Sequence, residues 1–402
     1  MVEQQEFTLP TSSFISFDQY AQRYNTSSNS LRASQPSDVR RNNRLRAIEA
    51  LFPLHQLSRS DIARHLQLTR ASASEVVSSL INDGLVIEEG SSHTPGKPGK
   101  PGTLLRLDIS SRNIIAIEIS PSAHLRGILT DLVGHVLDRQ TYSSDSWSSM
   151  IDGAIELSKS LLEKATAPVI GIGFSTPGII KDNRSILSAP NLRWKNIEIA
   201  KKVENTLHIS TRVDNNVNCA VLGERYFGVG KPNLMVVRIS EGIGIGTMIN
   251  GHIIEGSHYT AGEVAHVVVD PQGKSCYCGK KGCLETIVSE PAISQLSKSH
   301  SAQDMEEVLT QAGHTLGTAL AMSVAITDVD DIVLYGSSVA LSNTFQSSVQ
   351  NAINASLNSP LSTSIHVRSP EVAEDIDLLG EAMTVLTWAL PQNNSQQYSH
   401  SL

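Results

Sequence analysis

Three of the four cysteines fall within eight residues, Cys276-Tyr277-Cys278-Gly279-Lys280-Lys281-Gly282-Cys283, and His266 stands ten residues upstream of the first. No other feature restricts the fold of this chain as much. His266, Cys276, Cys278 and Cys283 make a tetrahedral Zn2+ set in which the protein fills all four positions. That predicts a structural site rather than a catalytic one. Gly279 and Gly282 let the loop curl tightly around a small ion. The first 22 residues are polar and acidic, with no basic segment leading into an apolar stretch, so they do not read as a secretory signal. Thiols crowded this way, in a chain without such a signal, point to metal rather than to disulfides. The fourth cysteine, Cys219, reads as a small buried hydrophobe.

A chain of 402 residues has room for two or three domains at roughly 100–200 residues each. Aromatics are only 4%, so the cores must be built from Ala, Val, Ile and Leu. No apolar run approaches the ~20 residues needed to cross a bilayer, which predicts a soluble cytoplasmic protein with no membrane partner. Residues 1–38 are rich in Ser, Gln, Asn and Thr and show no sustained period. They read as a disordered extension with a short helix around 16–24, and 393–402 as a flexible tail.

Residues 39–110 differ in charge and in pattern. They hold ten Lys/Arg against seven Asp/Glu, while the whole chain carries a formal charge of -8. A mildly basic module on an acidic body suits a protein that touches nucleic acid with one end only. Leu45, Ile48 and Leu51 share one face of a helix over 44–51. Ser58 and Asp61 have the spacing of a capping box, so a second helix starts there. Gln67-Leu68 makes a tight turn, and Thr69 caps a third helix over 70–83 that Gly84 stops. Val76, Val77, Leu80 and Ile81 face inward in it, while Arg70, Ala71, Ser72, Ser74 and Glu75 face outward. Two short helices, a tight turn and a third helix with a polar first half describe a helix-turn-helix, and Arg70, Ala71, Ser72 and Ser74 are the candidate major-groove residues. Strands over 85–89 and 103–107 flank a Gly/Pro/Lys tip. This makes a wing, whose Lys97 and Lys100 suit the minor groove or the backbone.

From residue 111 to 392 the texture is alternating strand and helix, with apolar strands at 114–119, 169–174, 234–239 and 331–335. A hairpin turns through Gly134. This is an α/β body long enough for two lobes.

At this point the chain resembles the ROK family, which groups repressors, open reading frames and sugar kinases. The resemblance rests on Ala261-Gly262-Glu263-Val264-Ala265-His266, on the cysteine segment continued through Leu284-Glu285, on Gly173-Phe174-Ser175-Thr176-Pro177-Gly178 and on Ser188-Ala189-Pro190-Asn191-Leu192. It covers roughly residues 40–390. It implies a two-lobed sugar-kinase-like body of the actin-like ATPase/ribonuclease H-like type, behind a winged helix-turn-helix. It further implies a sugar site at Asn191, Asn215, Asn216, Glu263, His266 and Glu285. Carboxylates and amides suit the paired hydroxyls of a sugar or sugar phosphate. His266 is expected to ligate zinc through one nitrogen and to face the sugar with the other.

The same resemblance shows where kinase chemistry fails. Kinases of the family carry Asn-Asp where this chain has Asn215-Asn216, and an amide cannot act as the general base; losing one costs typically 10²–10⁴ in rate. Their Asp-x-Gly-Gly-Thr loop is Glu118-Ile119-Ser120-Pro121-Ser122 here, and the late Gly-Gly-Gly-Val is Gly336-Ser337-Ser338-Val339. Filled loops no longer cradle phosphate with backbone N–H groups. Only Glu241-Gly242-Ile243-Gly244-Ile245-Gly246-Thr247 keeps its glycines. The expectation is a DNA-binding regulator that answers to a sugar, a repressor of carbohydrate-utilisation genes acting as a homodimer or homotetramer on operator DNA. The competing expectation is an ATP-dependent sugar kinase that also binds DNA.

Overall fold

The computed structural model describes residues 36–91, 102–122, 124–143, 149–297, 302–357, 364–372 and 374–390. Residues 1–35 of the expected extension, the tail and the wing tip with Lys97 and Lys100 lie outside them, whereas 36–38, expected as part of a disordered extension, already belong to a helix. Among the described residues the chain divides into two compact units, one holding 36–214 and 381–390, the other 215–380.

The first unit opens with helix α1 (Pro36–Leu51). It starts eight residues before the expected 44–51, because the polar first half carries no inward face to read. Leu45, Ile48 and Leu51 are buried as the period requires. Strand β1 (Leu57–Ser58) and helix α2 (Arg59–His65) follow. The capping box is complete: Asp61 N donates to Ser58 Oγ at 3.2 Å and Ser58 N to Asp61 Oδ2 at 3.1 Å. Gln67 takes a positive φ of 56° in the turn. Helix α3 (Arg70–Asn82) is capped by Thr69, whose Oγ1 accepts from Ser72 N at 3.1 Å. Ala73, Val76, Val77 and Leu80 are buried, and Ile81 is half-buried. Arg44, buried at 5% exposure, ties α1 to the end of α3 through Ser79 Oγ and Asp83 Oδ2, both at 2.5 Å. Strands β2 (Val86–Ser91) and β3 (Thr103–Leu107) pair antiparallel, as a wing requires. The two-residue β1 adds to the far side of β3, a pairing too short to leave a period in the sequence.

The rest of this unit is a sheet of β4 (Asn113–Ile119), β5 (His124–Thr130), β6 (Val136–Ser143), β7 (Val169–Thr176) and β11 (Thr211–Asn215), with α4 (Met150–Leu162), α5 (Ile199–Leu207) and a small β8–β9–β10 sheet (Ile179–Lys181, Ser185–Ala189, Trp194–Ile197). The sheet order is β6-β5-β4-β7-β11. All seven residues of β4 are buried, which explains its apolar run over 114–117, and Asn113 and Glu118 are buried with it.

The second unit contains α6 (Asn216–Phe227), β12 (Leu234–Ile239), β13 (Ile243–Ile249), β14 (His252–Ile253), α7 (Glu285–Val288), α8 (Glu290–Ser297), α9 (Ala302–Thr327), β15 (Asp331–Gly336), α10 (Asn343–Leu357) and β16 (His366–Arg368). Its sheet order is β14-β13-β12-β15-β16. Both sheets therefore share one topology. The first strand is central, the second and third run as antiparallel hairpins on one side, and a parallel fourth strand starts the other side. A repeated sheet of this order is the two-lobed actin-like plan. Each unit has its own aliphatic core, one around Ile115, Leu157, Phe174 and Val213, the other around Val237, Leu316, Leu334 and Val349. Helix α11 (Ile376–Ala389) runs through the division at Gly380.

One buried ion network fastens the second unit. Arg368 donates Nε and Nη2 to Asp331 at 2.8 and 2.9 Å and Nη1 to Glu224 at 2.6 Å. It thereby joins α6, β15 and β16. Among the described residues, no helix is long and apolar enough to cross a membrane.

Candidate functional site

Between β14 and α7 the chain runs as a loop, and the cysteine segment lies in it. Val269 and Asp270 N–H both donate to Gly282 O, at 2.9 and 3.2 Å, and a bridge pairs Val268 with Cys283. Gly282 has a φ of 67°, and a Cβ there would sit 1.4 Å from Asp270 O, so only glycine fits. Leu284 N donates to Val267 O and Glu285 N to Ala265 O, both at 2.9 Å, which sets Glu285 beside His266.

The four expected metal donors converge. One atom from each of His266, Cys276, Cys278 and Cys283 lies within 4.8 Å of the others. His266 Nδ1 is 3.5 Å from Cys276 Sγ, and Cys278 Sγ is 3.6 Å from Cys283 Sγ. A tetrahedral ion with bonds of ~2.3 Å to sulfur needs donor–donor edges of about 3.8 Å, so the set fits one. Electrostatics point the same way. Burial and the neighbouring thiols push the Cys283 thiol up to about 12, while the Lys280 N–H holds Cys278 below its usual value. Three sulfurs this close stay ionised together only around a positive charge. Burial, with the Lys280 charge added, keeps His266 below the usual histidine range, so the ring is neutral and able to ligate.

Beside this cluster stands a pair of carboxyls. Burial raises Glu285 to about 7, and the charge of Glu263 adds to the effect. Glu263 reaches the surface, yet partial burial also lifts its carboxyl above the ordinary carboxylate range. Glu263 and Glu285 therefore lie near each other, on the same stretch of loop as His266. One detail differs from expectation. The second ring nitrogen, Nε2, meets Tyr277 Oη at 3.1 Å, and the two rings stand edge to face at 5.1 Å and 85°. Tyr277 carried no signal in the sequence beyond its place between two ligand cysteines.

The asparagines lie on other elements. Asn215 Oδ1 caps α6, accepting from Val217 N at 2.9 Å and Asn218 N at 3.2 Å, so its oxygen is committed to the helix. Asn216 is the first residue of that helix and is buried at 5% exposure. Asn191 is exposed in a single 3-10 turn, Pro190–Leu192, of the first unit. The remaining five candidates belong to the second.

The kinase-like positions have local explanations. Glu118 is paired cross-strand with Arg126, which holds its carboxylate through Nε at 2.7 Å and Nη2 at 2.6 Å. The surviving glycines at 244 and 246 lie on β13, where a Cβ would come within 2.7 Å of Val217 or Val221 on α6. They let a helix lie close on the sheet and need no phosphate to account for them.

In the N-terminal module, Arg70 and Ala71 are exposed at the start of α3, and Ser72 and Ser74 are partly so. Arg64, 77% exposed on α2 and paired with Asp61, is a further cation of this module that the sequence pattern did not single out.

Comparison with known proteins fits this picture. The ROK family model matches residues 114–387. A xylose repressor of Caldicellulosiruptor bescii is 30% identical over 275 residues, 66% of this chain and 68% of that protein. A glucokinase of Halalkalibacterium halodurans is 35% identical over 150 residues, 36% of this chain and 46% of its own. Among solved structures, a ROK family transcriptional regulator described as a homologue of the Escherichia coli MLC protein superposes with a TM-score of 0.74 at 21% identity. That match covers 88% of this chain and 97% of the other.

Proposed function

Because the chain belongs to the ROK family, we propose that it is a sugar-responsive, DNA-binding transcriptional repressor of carbohydrate-utilisation genes, whose kinase-like body senses its ligand without phosphorylating it. The observation that carries this reading is the module at 36–107, three helices and a wing with the first turns of α3 exposed, on the same chain as the Glu263–His266–Glu285 group. Arg70, Ala71, Ser72 and Ser74 read the major groove, and Lys97 and Lys100 reach the backbone or minor groove. The protein works in the cytoplasm as a homodimer or homotetramer, so that two α3 helices meet half-sites about 34 Å apart.

Glu263, His266 and Glu285, with Asn216, bind the hydroxyls of a sugar or sugar phosphate. Asn215, whose side-chain oxygen caps α6, holds the start of the helix that carries Asn216. His266, Cys276, Cys278 and Cys283 hold one Zn2+, which neutralises three thiolates and ties the loop. Phosphoryl transfer is absent in this reading for two reasons. Asn216 has no titrating oxygen, and Glu118 is held by Arg126.

The glucokinase match favours the second reading, an ATP-dependent sugar kinase that also binds DNA. A coupled ADP-release assay across common hexoses separates the two, and turnover above buffer overturns the first. A titration of duplex DNA with and without monosaccharides tests regulation itself.

A further inference from the structure

Helix α9 carries no Asp, Glu, Lys or Arg from Val308 to its end at Thr327. One side of it is packed. Ala312, Leu316, Leu320 and Val324 are buried. Gly313 and Gly317 let α10 come so close that a Cβ would lie 2.7 Å from Phe345 O at the first and 2.5 Å from Val349 O at the second. The opposite side faces solvent with Gln311, His314, Thr318, Met322, Ala325 and Ile326, which recur at the spacing of a single helical stripe. Met322 is 74% exposed and Ile326 78%, the two most exposed large apolar side chains among the described residues. An ordinary solvated helix looks different: on α4 the exposed positions are Asp152, Glu156 and Lys159. Helix α10 buries its other side in the same core as α9. It has no charged residue at all, and it exposes Ser347, Asn351 and Ala355.

Two adjoining helices, each about 22 Å long and about 10 Å across, present about 450 Å² of face. A stable homodimer buries about 800 Å² per copy, in a core depleted of charge and enriched in Met inside a polar rim. The face has the size and composition of such a core. Asp304 and Glu307 at one end of α9 and Asp328 past the other are exposed and supply charged margins. A chain with a formal charge of -8 repels its own copy, so two copies meet most favourably where neither carries charge. A two-fold axis sets a patch against itself, which an uncharged surface allows and a surface of one sign opposes. We propose that the exposed face of α9 and α10, centred on Met322 and Ile326, is the surface through which two copies of this chain pair. With the axis crossing α9 at Met322, the two helices run antiparallel and Ile326 of each copy meets Thr318 of the other. No charge then stands opposite another along Val308–Thr327. This surface supplies the interface for the homo-oligomer of the proposed function, and it rests on that reading for the second copy.

Sedimentation velocity of the full chain at micromolar concentrations tests this, comparing wild type with Met322→Glu, Ile326→Lys and Leu137→Glu. Leu137, an apolar residue of β6 that is 47% exposed, serves as the control. Wild type and Leu137→Glu sediment as the same oligomer. Met322→Glu and Ile326→Lys each weaken pairing at least about a hundredfold, because every pair would bury two unpaired charges. A dimer thereby falls to monomer and a tetramer to dimer. Both variants keep the wild-type circular dichroism spectrum, since both positions are exposed within one copy. Met322→Glu and Ile326→Lys chains that keep the wild-type mass overturn this face and leave the homo-oligomer standing. Dissociation of Leu137→Glu to the same extent overturns the face as well, because the effect is then not confined to it. A wild-type chain that sediments as a monomer leaves the face to a partner of another kind, and overturns this inference together with the homo-oligomer.

Discussion

Gly279 and Gly282 lie three residues apart in the metal loop and both have positive φ, 90° and 67°, yet they should respond very differently to alanine. A left-handed conformation costs a non-glycine residue about 1–2 kcal/mol. At Gly279 nothing lies within 4 Å of an added Cβ, so that cost stands alone. At Gly282 the Cβ would lie 1.4 Å from Asp270 O, and the two segments must part until it clears about 3 Å. Gly282 O is the acceptor for both Val269 N and Asp270 N. Losing those two bonds adds about 1 kcal/mol each. Gly282→Ala should therefore cost about 3–4 kcal/mol, or two to three decades of metal affinity at 1.4 kcal/mol per decade. Gly279→Ala should cost about one decade. Zinc affinity measured against a competing chelator, with a melting curve on the same samples, reads both. Equal damage from the two substitutions, or greater damage from Gly279→Ala, would refute the packing argument.

Other outcomes follow from the same geometry. Arg368→Met strands the Glu224 and Asp331 carboxylates in the interior and should lower stability by about 3–5 kcal/mol in denaturant titration; a loss under 1 kcal/mol contradicts the network. Arg70→Ala should weaken DNA binding by about 1–3 kcal/mol and relax sequence preference, seen in competition between duplexes. Asn216→Asp restores an acid but leaves Glu118 bound to Arg126, so a coupled assay should still detect no ADP release with any hexose. Ser58 holds Asp61 below the usual carboxylate value, so this pair stabilises α2 above that value and loses its effect as pH falls through the lowered one. The melting-temperature gap between wild type and Asp61→Asn should accordingly shrink from pH 6 to pH 3, and a gap that widens on acidification refutes the assignment.

The features legible in the sequence were those with a local cause. The capping box at Ser58, the cap at Thr69, the buried strands and the convergence of His266 with the three cysteines each announce themselves through residue type at fixed spacing, and each stands where that spacing puts it. Three features depend on partners that only folding brings together and left no local mark. The polar half of α1 carries no stripe, and its helix is anchored through Arg44 to Ser79 and Asp83. The clamp of Arg126 on Glu118 exists only once β4 and β5 pair in that register. Tyr277 reads as a loop residue until the ring of His266 is placed beside it. The spacing of His266 and the cysteines singled out four donors that do converge, but it could not say which imidazole nitrogen turns toward the sulfurs.

The most direct test of the account is fluorescence anisotropy of a labelled duplex, selected from random sequence by the protein itself, titrated with the full chain in the presence and absence of each monosaccharide. The account predicts nanomolar-range binding at physiological salt and a drop of at least about tenfold in affinity with one sugar, with no ADP formed from ATP in the same mixture. DNA affinity untouched by every sugar, together with sugar-dependent ADP release, would contradict it and establish an enzyme in place of a sensor.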